Sequence, residues 1–190
     1  MCAWISDLPG VIADAAALEA DIEDMLSNGL RNESAYGEQT VTKLHQLRAP
    51  HWDRFFGEVR RVIGEVIAAS RATLDPATVY LRAWASKLAR EGDYSRRRAR
   101  LSAIHNHSPA FLSAIYYLRV PQEQEKGESG TLFVNPFPQS LASPQPGVVL
   151  PGLEGRIVVF PSWVLHAPAE LADLKSPRIV IAVDAHFIPE

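Results

Sequence analysis

The sequence predicts an α+β domain: helices come first, an antiparallel sheet or barrel follows, and the helices cover one face of that sheet. Three observations carry this. Two early segments repeat apolar residues at the helical period; from Thr78 onward the chain breaks into short β-branched or aromatic runs; and 190 residues with 47% hydrophobic content suit about one domain with a real core. The expected organisation is a single domain over 1–190, with 1–75 mainly helical support and 76–190 the β core.

Within residues 12–30, Leu18, Ile22, Met25, Leu26 and Leu30 fall on one helical face, while Glu19, Asp21, Glu23 and Asp24 occupy the polar one. A second helix is expected over 52–69, entered through Pro50, with Phe55, Val59, Val62, Ile63, Val66 and Ile67 in register. Strands are then predicted at 79–84, 111–120, 131–134, 156–160 and 178–187, each bounded by Gly, Pro or Asp. The polar stretch 121–130 reads as a loop. Residues 135–152 hold five of the fourteen prolines and read as an irregular excursion or flap.

Charge and cysteine content exclude whole classes of function. With 19 basic against 22 acidic residues the net charge is −3, the wrong sign for general nucleic-acid binding. Cys2 is the single cysteine, which forbids an intrachain disulfide and zinc-ribbon or CxxC chemistry. Metal chemistry would therefore fall to histidine and carboxylate. No basic region precedes an apolar stretch at the N-terminus, and no apolar run approaches the roughly 18 residues of a membrane span. A soluble, cytoplasmic protein is expected, with a homodimer open.

Six histidines are present, and His105 and His107 stand one residue apart just before a strand. In extended chain, residues i and i+2 point to the same side, so both imidazoles can converge on one ion; a surface pair is the alternative. His166 follows a predicted strand and the turn PSWVL, where a neighbouring strand can deliver a third ligand. Arg178 opens the strand RIVIAVDAHF. A charge there needs an anionic partner, either a bound carboxylate or a structural Asp or Glu.

Taken together, HNHSPAFLSAIYYL, GTLFVNP, LPGLEGRIVVFPSWVLHAP and PRIVIAVDAHF resemble the Fe(II)- and 2-oxoglutarate-dependent dioxygenases, in particular a bacterial group with H-x-H, S-G-V-Y-Y and F-P-S-W-x-x-H motifs. The resemblance covers residues 79–187 and implies a double-stranded β-helix, or jelly roll, with its metal at one mouth. It implies that His105, His107 and His166 hold Fe(II), His107 standing where the superfamily at large has Asp or Glu. It further implies that Arg178 pairs with the distal carboxylate of 2-oxoglutarate, that Tyr117 hydrogen-bonds the same group, and that Ser86 touches the cosubstrate. Trp84 and Gly92-Asp93-Tyr94 match the strand and turn ahead of the ligands. The expected reaction consumes dioxygen, releases succinate and CO2, and oxidises an unactivated C–H bond of a small-molecule or peptide-like substrate.

Four departures stand out: Ser86 replaces an Asn, Ala114 a Gly, Val180 a hydroxyl residue, and SRRRARLSAI lengthens the approach to His105. Asp93 and Asp184 are reserve carboxylate ligands should His107 turn away, and His186 is a reserve imidazole. With His107 as ligand the protein is expected to bring no negative charge to the ion. Trp163 is expected in the core. Arg90, Arg96, Arg97, Arg98 and Arg100 form either a solvated loop or a cationic substrate entrance favouring an anionic substrate. Two other readings stay open: a three-histidine, cupin-like dioxygenase without 2-oxoglutarate, and a non-catalytic ligand-binding jelly roll.

Overall fold

The computed structural model describes residues 3–32, 37–70, 75–88, 104–121, 129–135, 147–169 and 176–187. Outside them lie the Gly92-Asp93-Tyr94 turn, the arginine-rich stretch ahead of Ile104, and most of the loops expected at 121–130 and 135–152.

Among the described residues, ten strands form two facing sheets. They are β1 (Trp4–Asp7), β2 (Arg31–Asn32), β3 (Glu38–Thr40), β4 (Val79–Leu88), β5 (Leu112–Arg119), β6 (Thr131–Val134), β7 (Gly147–Leu150), β8 (Arg156–Pro161), β9 (His166–Pro168) and β10 (Arg178–Phe187). The major sheet runs β1-β8-β5-β10-β4-β3-β2 and the minor one β7-β6-β9. Every pairing is antiparallel. This is the expected double-stranded β-helix with N-terminal helices on one sheet.

The helices are α1 (Pro9–Ile12), α2 (Ala15–Ser27) and α3 (Pro50–Ala69). α3 starts two residues before the expected position because Pro50, with its fixed φ and missing N–H, suits the first turn. α2 is shorter than the apolar pattern suggests. It ends at Ser27, and just beyond it the φ of 75° at Gly29 lets the Leu30 N–H reach the Met25 carbonyl at 2.9 Å.

Strict alternation along the central strands gives the major sheet two different faces. On β4, Val79, Leu81, Ala83 and Ala85 join the helix-side core, as do Leu112, Ala114, Tyr116 and Leu118 of β5 and Ile179, Ile181, Val183 and Ala185 of β10. Trp52, Phe55, Val59, Val62, Ile63 and Ile67 of α3 cover them. The opposite face meets the minor sheet through a second cluster containing Ile115, Tyr117, Phe133, Val158, Phe160, Val164 and Val180. Beyond that cluster the two sheets part around a cavity.

The first 75 residues supply strands as well as helices: β1 flanks β8 at one edge, and β2 with β3 extends the other beyond β4. Trp163 is not in the core. It stands 62% exposed at the tip of the β8–β9 turn, while its neighbours Ser162 and Val164 turn inward. No helix among the described residues is long and apolar enough to cross a membrane.

Candidate active site

The inner face of the major sheet lines a cavity of about 530 Å³, within the usual range for small-molecule sites. Alternation selects its walls: Arg82, Trp84 and Ser86 from β4, and Arg178, Val180, Ala182, Asp184 and His186 from β10. Gln39, Ile115, Thr131 and Pro168 contribute from neighbouring strands.

Three imidazoles meet in this cavity, and backbone pairing brings them there. His105 and His166 form an isolated antiparallel bridge, exchanging N–H···O bonds of 3.0 and 2.9 Å. Two residues on, the His107 N–H donates to the Ser162 carbonyl at 2.9 Å, holding the H-x-H segment against the β8–β9 turn. The ring centroids of His105 and His166 are 4.5 Å apart, and those of His107 and His166 4.9 Å. One nitrogen from each of the three rings lies within 4.8 Å of the other two.

The protonation pattern suits a metal. His166 Nδ1 sits 3.0 Å from the Val164 carbonyl, which can only accept, so Nδ1 carries the proton and Nε2 keeps its lone pair. Burial pushes the His166 pKa down to about 3; the Val164 hydrogen bond opposes this, and His105 and His107 add to it. Phe160 supplies part of that apolar wall, 4.8 Å away by ring centroid. His107 Nδ1 lies 2.7 Å from Asp184 Oδ1, which also accepts from Ser113 Oγ at 2.7 Å, so His107 Nε2 likewise turns its lone pair inward. The Nε2 atoms of His105 and His107 are 3.0 Å apart. Nitrogens this close would reach one ion together. Imidazole donors suit Fe, Zn, Ni and Cu.

Asp184 is therefore not placed as the reserve ligand the sequence suggested; it holds His107. The expectation of a site without negative charge is corrected with it, since one carboxylate sits a single hydrogen bond behind the cluster. His186 stacks on Tyr80 at 4.9 Å, outside the three-histidine group, and its Nε2 is buried without a hydrogen-bond partner among the described residues.

Arg178 is 2% exposed, and its guanidinium donates from Nε to the Ser129 carbonyl at 2.8 Å and from Nη2 to the Gly130 carbonyl at 3.1 Å. Its Cζ lies 5.5 Å from the Tyr117 ring centroid. The Tyr117 hydroxyl pairs with Thr131 Oγ1 at 2.7 Å, and burial raises its pKa against the lowering effects of Arg178 and Thr131. Gly152 permits this packing: a Cβ there would stand 2.6 Å from the Ser129 carbonyl oxygen and 2.9 Å from the Tyr117 ring. Ser86 and Val180 oppose each other in register between Arg178 and the histidines. The Tyr117 hydroxyl meets the cavity wall at Thr131. Thr131 and Asp184 are the residues whose roles the sequence pattern did not reveal. Thr131 carried one local signal, as the first residue after Gly130 in GTLFV.

The family model "Putative 2OG-Fe(II) oxygenase" matches residues 94–184, just under half of the chain. Solved structures match over nearly all of it. A Pseudomonas putida prolyl-4-hydroxylase aligns with a TM-score of 0.61 at 13% identity, covering 98% of this chain and 93% of its own. Fold and matched segment together support the 2OG-Fe(II) oxygenase superfamily. SnoN, a non-heme α-ketoglutarate-dependent epimerase of nogalamycin biosynthesis, aligns with a TM-score of 0.61 at 16% identity, covering 96% of this chain and 77% of its own. HygX from Streptomyces hygroscopicus, solved with nickel and 2-oxoglutarate bound, aligns with a TM-score of 0.56 at 11% identity over 96% and 82%. At these identities the likeness to the oxygenase structures is one of fold. No curated protein sequence matches. The cofactor pair of this superfamily is Fe(II) and 2-oxoglutarate, and the three imidazoles and the buried guanidinium on one cavity fit that pair.

Proposed function

We propose that this protein is an Fe(II)- and 2-oxoglutarate-dependent oxygenase that oxidises a C–H bond of a small molecule. The observation that carries the reading is that three imidazoles converging within 4.8 Å of one another and a buried arginine open onto one cavity. His105, His107 and His166 would hold the metal, and Arg178 the distal carboxylate of the cosubstrate. When bound, Fe(II) and 2-oxoglutarate supply the oxidising power, with succinate and CO2 as the cosubstrate's products.

The chain's own residues bind and orient. Asp184 keeps the His107 proton on Nδ1, and the Val164 carbonyl does the same for His166. The Ser129 and Gly130 carbonyls hold the Arg178 guanidinium in place, and its fork geometry matches that of a carboxylate. Thr131, fixed by Tyr117, adds a hydroxyl beside Arg178. Phe133, Phe160 and Val164 exclude water from behind the histidines. Arg178 on the same cavity favours this reading over a cupin-like dioxygenase without 2-oxoglutarate.

Two measurements test it. Anaerobic Fe(II) titration should show weakened binding in His105→Ala, His107→Ala and His166→Ala; full affinity in any one removes that residue from the site. Arg178→Ala should retain Fe(II) and weaken 2-oxoglutarate by roughly 2–5 kcal/mol, the range for truncating one partner of a buried charge pair. Undiminished 2-oxoglutarate affinity, or no succinate release from the loaded protein, overturns the proposal.

A further inference from the structure

The cavity has two cationic ends. Arg178 opens β10, and Arg82 of β4 pairs in register with Asp184, six residues further along β10. At ~3.3 Å per residue the two guanidiniums attach about 20 Å apart along the sheet. The histidine cluster lies toward the Arg82 end, because the His107 ring sits 5.2 Å from Trp84, the next inward residue after Arg82, and its Nδ1 bonds Asp184, the register partner of Arg82. Unlike Arg178, Arg82 is exposed at the cavity wall, and no carboxylate among the described residues forms an ion pair with it. Asp184, across the strand, directs Oδ1 to His107 and Ser113 instead. The charge of Arg82 is felt nearby: after burial, it lowers the pKa of His45, and at His186 it adds to burial against the raising effect of Asp184.

We propose that Arg82 is a specificity-determining residue that anchors an oxyanion of the substrate, so that the substrate is a small organic acid or phosphate ester. The inference rests on the oxygenase reading and deepens it. A substrate charge held at Arg82 would leave the adjoining carbon chain over Trp84 and the histidines, on the side away from the cosubstrate arginine. Arginine suits the task, since its planar fork pairs with carboxylate or phosphate while remaining hydrated at the mouth.

The test uses fluorobenzoate, fluorophenyl phosphate and neutral fluorobenzyl alcohol as probes, followed by fluorine NMR. The protein carries Mn(II) and saturating 2-oxoglutarate, which fills the Arg178 end. The two anions should bind and be broadened by Mn(II), the alcohol should not, and which anion binds tighter distinguishes acid from phosphate ester. Arg82→Gln should weaken anion binding about tenfold or more, Arg82→Lys should restore part of it, and added salt should weaken it in the wild type. Equal binding of the alcohol, unchanged affinity in Arg82→Gln, or binding without Mn(II) broadening overturns the proposal. Failure of the oxygenase reading looks different: Mn(II) affinity is then indifferent to the three histidine variants, whatever Arg82 does to the anions.

Discussion

Asp184 gives the histidine cluster its charge and its tautomer at once. Its Oδ1 accepts from His107 Nδ1 and from Ser113 Oγ, both at 2.7 Å, and the residue is 9% exposed. A carboxylate behind a ligating imidazole raises the basicity of the outward nitrogen and fixes its aim. Asp184→Asn, equal in size but neutral, should therefore cost about 10–100-fold in Fe(II) or Co(II) affinity while the thermal transition of the metal-free protein stays cooperative. Ser113→Ala should act in the same direction but more weakly, leaving the carboxylate in place. Wild-type metal affinity in Asp184→Asn would show that His107 needs no such support. The histidines were legible in the sequence because H-x-H is a local pattern whose geometry follows from two-residue periodicity. The role of Asp184 was not, since it depends on β10 lying against β5 with Asp184 opposite Ser113, a register no local pattern contains.

At the scale of elements, α3 carries the major sheet. Phe55 is fully buried, with ring centroids 5.9 Å from Trp52, 5.0 Å from Phe56 and 5.2 Å from Tyr116 on β5. Phe55→Ala should destabilise the protein by about 3–5 kcal/mol, through lost transfer energy and the cavity left behind. Urea unfolding measures this, and a loss below about 1 kcal/mol would mean the helix can repack. Metal affinity of the folded fraction should hold, because Tyr116 faces α3 while Tyr117 faces the cavity side. Long periodic elements such as α3, β5 and β10 were readable because many residues vote for one face. β2, β3 and β9 were not: two or three residues establish no period, and they exist only because a neighbouring strand offers hydrogen bonds. Trp163 misled for a related reason, since its apolar character suggests burial while its place at a turn tip decides exposure.

Across the whole molecule, the N-terminal segment also closes the open edge of β4. β3 pairs with β4 only through Glu38↔Lys87 and Gln39↔Ser86, and side chains take over beyond that point. Thr40 Oγ1 accepts the Ala85 N–H at 2.9 Å, and His45 Nδ1 accepts the Ala83 N–H at 3.2 Å. The second bond requires neutral His45, because a protonated Nδ1 has no lone pair to offer. Burial, then the charges of Arg82 and Arg48, hold the His45 pKa below its ordinary value. Below about pH 6.5 the unfolded chain takes up a proton that the folded one refuses. Stability therefore rises with pH through the window between the folded pKa and about 6.5, and falls as the solution is acidified through it. His45→Gln keeps an acceptor that does not titrate, so its metal-free form should lose less stability than the metal-free wild type on acidification. His166 and His186 are depressed in the same direction and should leave a residual slope in the variant. Urea midpoints at a series of pH values measure the difference between the two slopes. Identical slopes would mean that the β4 edge is held without His45, and that the acid sensitivity of the fold resides in the cavity histidines alone.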